Sequence, residues 1–131
     1  MLITPIYASL LALLFVFLSF RVIKLRRQQK VGIGDGEDAL LRRAMRVHSN
    51  CAEYVPIGLI LLGLLEFQGV ASLLLHIIGL MLLCGRVIHA FGVSQLNENL
   101  KFRVSGMLLT FSSITLSAVI LLGYTLKNGL S

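Results

Sequence analysis

The chain reads as an all-α integral membrane protein, a bundle of four transmembrane helices in one domain of 131 residues. Three observations predict this. Apolar residues make up 56% of the sequence and charged ones 14%, against roughly a quarter charged in a soluble domain, and mean hydropathy is +0.88. The apolar residues fall into four runs long enough to cross a bilayer, at about 3–23, 46–65, 70–91 and 104–126. In lipid only helices or closed barrels satisfy their own backbone, and runs of this length are helical.

The first run, Met1 to Phe20, carries no charge and holds Pro5 near its start, where a first turn tolerates it. Arg21, Lys24, Arg26, Arg27 and Lys30 close it, which sets it apart from a cleavable signal peptide. A glycine-rich connection follows, and then Glu37 and Asp38, either of which suits the cap of a helix starting near Ala39. That second helix is expected to reach about Leu65, with a short turn over Glu66 to Gly69. The third spans Val70 to about Phe91 and is apolar except for His76, Arg86 and His89. Gly92 to Leu100 is polar and loop-like, and the fourth run, Val104 to Leu126, has no charge.

Of the twelve lysines and arginines, all but Lys127 lie in or beside the first and third loops. The positive-inside rule then places those loops in the cytoplasm. This accounts for the net charge of +6 without a nucleic-acid partner, and the basic run also meets anionic lipid headgroups. The brevity of the chain and the lack of a sorting signal point to a bacterial inner membrane.

Function is concentrated where the second helix enters the bilayer. At about 100° per residue, Arg46, Asn50 and Glu53 share one stripe, Arg42 and Arg43 extend it, and Tyr54 flanks it. The same leaflet receives Arg86 and His89 from the third helix, Arg103 from the fourth, and Lys24, Arg26 and Arg27 from the first. Ionisable groups at this depth are costly and mark sites. The inventory holds no Ser/His/Asp set, no paired carboxylates, no phosphate loop and no metal-ligand spacing. Several arginines suit carboxylates, which they bind bidentately. Glu53 suits an ammonium, and an arginine beside a thiol stabilises its thiolate. A small zwitterion with more than one carboxylate matches this set.

Arg46-x-x-x-Asn50-x-x-Glu53-Tyr54, followed by Pro56, resembles the second-helix signature of the membrane-associated proteins in eicosanoid and glutathione metabolism (MAPEG). The size, the four-helix layout, Arg86 late in helix three, and Arg103 with Gly106 opening helix four are similar as well, so the resemblance covers essentially the whole chain. It implies a homotrimer that binds glutathione between subunits and conjugates it to small hydrophobic electrophiles as a transferase or peroxidase. By the same resemblance Arg46, Asn50, Glu53, Tyr54 and Arg86 bind glutathione. Arg26 joins them from helix one, with Lys24 or Arg27 as alternatives, and Arg103 activates the thiol. Two departures weigh against a leukotriene-type substrate. His89 and Val93 stand where leukotriene-forming members have tyrosines, and the loop between Arg86 and Arg103 is longer; His89 is then a substitute hydrogen-bond donor to glutathione or a packing residue.

Two rival readings compete. One is a non-catalytic lipid-binding or scaffold protein of the same fold. The other is a small oligomeric transporter, which fits less well because the polar groups stop halfway across. The remaining features read as structural. Cys51 and Cys84 are expected to be small core residues, reduced on the cytosolic side. His76 stands alone and packs, and Gly58, Gly63, Gly79 and Gly85 mark close helix contacts.

Overall fold

A computed structural model describes residues 2–129 and contains four helices and, among those residues, no strand. They are α1 (Thr4–Gln29), α2 (Ala39–Phe67), α3 (Ser72–Ser94) and α4 (Leu100–Gly129). At 1.5 Å per residue they are about 35 to 45 Å long, enough to cross the roughly 30 Å hydrocarbon layer. All four are apolar enough to do so.

Each helix end has a local cause. Pro5 occupies the first turn of α1, and the Glu66 carboxylate at the end of α2 accepts from the backbone N–H groups of Ile3 and Thr4. A side chain from one helix thus caps another whose own sequence lacks a cap. Lys30 in the left-handed region ends α1. Of the two candidate acids, Asp38 caps α2, its Oδ1 accepting from Leu41 N at 2.6 Å. Glu37 instead takes a positive φ within the loop.

Two boundaries differ from expectation. Glu66 and Phe67 belong to α2, leaving Gln68–Ala71 as the turn. Gly92, Val93 and Ser94 continue α3, and Leu100 opens α4, so the third connection shrinks to Gln95–Asn99. Polarity suggested a loop there, but Gly92 sits against Phe102 and Arg103, where any side chain would collide. Tertiary contact keeps this segment helical.

The helices do not form a closed square. α3 lies most extensively against α4, α2 approaches all three others, and among the described residues the α1 backbone stays apart from that of α4. Three buried clusters follow one another along the bundle. Tyr7, Leu62, Leu65 and Ile78 fill the end near the second loop. Leu18, Val47, Cys51, Ala90 and Val93 fill the middle, and Leu25, Leu41 and Ala44 the end near the first loop. The faces left open, such as Leu13, Phe17 and Phe20 on α1 and Leu108, Val119 and Leu122 on α4, are large and apolar, as lipid or a neighbouring subunit requires.

Several sequence expectations change here. His76 does not stand alone: the Tyr7 hydroxyl lies 2.9 Å from its Nδ1. Cys51 is buried as expected, but Cys84 lies on an exposed face of α3. Gly58, Gly79 and Gly85 do meet neighbouring side chains or backbone closely, whereas Gly63 has only ordinary contact.

Candidate functional site

The site begins with a buried guanidinium. Arg86 on α3 is 2% exposed, and no carboxylate is among its hydrogen-bond partners. Its Nη1 donates to Asn50 Oδ1 at 2.6 Å, its Nε to Thr110 Oγ1 at 3.0 Å, and its Nη2 to Met107 Sδ at 3.2 Å. The Tyr54 ring centroid lies 5.4 Å from its Cζ. Neutral dipoles and a ring face thus hold the charge, and acceptors placed around a buried guanidinium are the condition under which such a charge is tolerated. One side chain of α3 thereby fixes two residues of α2 and two of α4.

In front of Arg86 lies a cavity of about 560 Å³. Arg42, Arg43, Arg46, Asn50 and Tyr54 of α2 form one wall. His89 and Val93 of α3, Glu98 of the third loop, and Arg103 and Met107 of α4 form the rest. The first turns of α2 and α4 and the last turns of α3 meet at this end because the chain's first and third loops do. Five of the eight residues singled out from the sequence therefore converge: Arg46, Asn50, Tyr54, His89 and Arg103.

The other three are placed differently. Arg86 stands behind the wall as its support. Glu53 is exposed and outside the lining. On a helical wheel Asn50, Arg43 and Tyr54 lie about 40°, 60° and 80° to one side of Arg46, and Glu53 about 20° to the other. Deep in the bundle the cavity takes the Tyr54 side; Arg42, about 40° on Glu53's side, borders it nearly three turns closer to the first loop. Arg26 turns into its own loop, donating to Gly32 O at 3.1 Å and Gly34 O at 2.9 Å.

Sequence reading did not single out Glu98, Met107 or Thr110. Glu98 Oε2 accepts from Arg43 Nη1 at 2.9 Å, and its Oε1 lies 3.7 Å from Arg103 Nη1. Arg43 also donates to Val93 O at 3.1 Å. A loop acid has no periodicity to betray it. The only signal was a carboxylate between two arginine-bearing helix ends. At the rim, the Arg42 guanidinium beside Asp35 holds that carboxyl below the usual carboxylate range.

Chemically, four guanidiniums and one carboxylate around a buried amide make an anion-binding cavity with one place for a cation. Arg103 is half exposed, with its Nη1 3.7 Å from Glu98 Oε1, and borders the cavity from the start of α4. A second cavity, about 260 Å³ between α1 and α2, is lined by apolar residues including Leu11, Phe15, Cys51 and Leu59.

Comparison with known proteins identifies the chain's relatives. The chain is 37% identical over 122 residues to the inner membrane protein YecN of Escherichia coli K12, covering 93% of this chain and 92% of that protein. The same protein from Escherichia coli O6:H1 gives the same figures. The MAPEG family model matches residues 4–123, which takes in α1 to α3, α4 as far as Gly123, and every residue of the cavity. A polar cavity walled by the second, third and fourth helices of a membrane bundle is thus carried on a chain that belongs to the MAPEG family.

Proposed function

We propose that the protein is a glutathione-dependent transferase or peroxidase of the bacterial inner membrane, acting on small hydrophobic electrophiles as a homotrimer. The observation that carries this reading is the convergence of Arg43, Arg46 and Arg103 with Asn50 and Tyr54 around one cavity at the loop 1 and loop 3 end. Two carboxylates of glutathione match the guanidiniums. Those loops hold nearly all the basic residues, so they face the cytoplasm, where glutathione is available. The bilayer delivers the electrophile. The name of the Escherichia coli relative supports the choice of membrane.

In the reaction Arg103 stabilises the thiolate as the thiol proton passes to water. The sulfur then attacks the electrophilic carbon, a C–S bond forms, and the leaving anion departs. Arg86 acts through Asn50 and Tyr54 as a positioning residue. Glu53 and Arg26, which lie away from the cavity of their own chain, reach the ligand only from a neighbouring subunit.

The test is consumption of glutathione thiol with 1-chloro-2,4-dinitrobenzene by the detergent-solubilised protein. The wild type conjugates, and Arg103→Ala lowers kcat by about a hundredfold, as removal of one preorganised electrostatic group does elsewhere. Equal rates in the two proteins overturn the role of Arg103. Glutathione binding without any thiol consumption favours the scaffold reading instead.

A further inference from the structure

Two cavities outside the arginine site lie along one seam, between α1 and α2. The first, about 260 Å³, is lined by Ala8, Ala12, Phe15, Val55 and Leu59 among others, with no charged group. The second, about 350 Å³, sits where α1 ends and is lined chiefly by Ile23, Arg26, Arg27, Lys30 and Val31. On α1 the seam is a single stripe, because Ala8, Ala12, Phe15, Ser19, Ile23 and Arg26 fall within about 80° of one another. Between the cavities the Phe15 ring stacks on His48 at 4.5 Å, and Ser19 Oγ lies 2.9 Å from His48 Nε2. That contact holds the two helices together along the seam. Val55 and Leu59 lie about 140° and 180° round α2 from Asn50, so the seam is on the far side of α2 from the arginine cavity.

The basic end carries charge that the chain itself does not neutralise. Arg26 Nη1 is spent on Gly32 O and Gly34 O, which holds the loop against α1. Arg27 and Lys30 are exposed, and among the described residues neither forms an ion pair; Asp35, the first acid after them, pairs with Arg42 instead. From Ala12 to Arg27 the helix rises about 22 Å, which is the depth of one leaflet with its headgroups, half of about 40–45 Å. An apolar groove at chain depth that leads to two cations at headgroup depth fits an amphiphile with one anionic head, and basic pockets beside membrane helices bind such heads. We propose that the α1–α2 seam binds one anionic phospholipid, its phosphate between Arg27 and Lys30 and an acyl chain over Phe15 along Ala12, Val55 and Leu59. A lipid drawn only by a positive loop would need the cations and no groove. The site stands apart from the glutathione reading and holds whether or not that reading does.

The test is native mass spectrometry of the delipidated full-length protein in detergent, titrated with phosphatidylglycerol or phosphatidylcholine. The two probes share a phosphate and acyl chains, and phosphatidylcholine adds an ammonium that cancels the charge. The wild type takes up one phosphatidylglycerol per subunit, on the order of tenfold more tightly than phosphatidylcholine. Arg27→Gln combined with Lys30→Gln binds the two lipids alike. Ala12→Phe, at an exposed position where the added ring enters the groove and not the core, weakens both lipids at unchanged subunit number. Equal binding of the two lipids by the wild type, or unchanged uptake in either variant, leaves only the general pull of basic loops and overturns the site. Displacement of the lipid by an equal concentration of glycerol 1-phosphate overturns it too, by assigning the basic cavity to a free phosphate. Lipid uptake that changes the subunit number does the same, by assigning the seam to a second copy of the chain.

Discussion

Arg86 sets the character of the site at the scale of single residues. A guanidinium buried this deeply would demand a counter-charge, yet its donors end on an amide, a hydroxyl and a thioether. The consequence is that Asn50 and Tyr54 are fixed against Arg86 while Arg46 and Arg103 stay exposed, a supported floor under open arms. The helical stripe of Arg46, Asn50 and Tyr54 is legible in the sequence because periodicity alone puts those residues on one face. Whether Arg86 lines the cavity or backs it depends on the rotation of α3 against α4, which periodicity does not determine. Glu98 is illegible for a different reason, since a five-residue connection has no repeating face at all. At the rim, the Asp35 carboxyl is depressed chiefly by its hydrogen bond from Arg42. A depressed carboxyl contributes order that is present above its unfolded value, near 3.9, and is lost as pH falls through the folded one. NMR titration of Asp35 should therefore give a midpoint below that value, and Arg42→Gln should raise it toward the ordinary range, with the Glu37 N–H still holding it down in part. An unchanged midpoint in the variant would remove the pair from the account.

Elements come next, and here the sequence carries most of the information. Four apolar runs bounded by charges and glycines give four helices, and the acid ahead of Ala39 caps the second. What composition misreads is the end of α3, because Gly92 and Ser94 look like punctuation. In the fold Gly92 is where α4 comes closest. The same close approach recurs two turns deeper, where a Cβ on Gly106 would stand 2.8 Å from Gly85 O and 2.5 Å from His89 N. Only a pair without side chains lets the α3 and α4 backbones meet, and that contact sets the rotation which aims Arg86 at Asn50 and Thr110. Gly106→Ala should force the helices apart and cost about 1–3 kcal/mol of stability. It should also weaken glutathione binding, because Arg86 moves with α3. Thermal unfolding and ligand titration of the variant in detergent check both effects, and a variant as stable as the wild type would mean that the helices yield elsewhere.

Over the whole molecule, polarity is distributed unevenly. The second-loop end is closed by neutral or self-contained pairs, Tyr7 with His76 and Glu66 with the start of α1. The opposite end gathers the arginines around an open cavity. The positive-inside rule accounts for basic residues at that end, but not for their convergence with Asn50 and Tyr54 around one cavity, given the expense of ionisable groups in lipid. Among the described residues the α1 and α4 backbones stay apart, and their outward faces are apolar, as a lipid-facing surface requires. The gathering of charge at one end is visible in the sequence through the positive-inside pattern. The division of labour within it, with Arg86 behind, Glu53 outside and Glu98 within, appears only when the helices are packed. The central claim is that this cavity holds glutathione. Thermal unfolding of the detergent-solubilised assembly, with and without glutathione, tests it most directly: at a hundred times Kd, binding to the folded state adds about 2.7 kcal/mol. The account predicts a raised midpoint in the wild type and little or no rise in Arg46→Ala, whose exposed side chain leaves the unliganded midpoint unchanged. No rise in the wild type, or a full rise in Arg46→Ala, would contradict it.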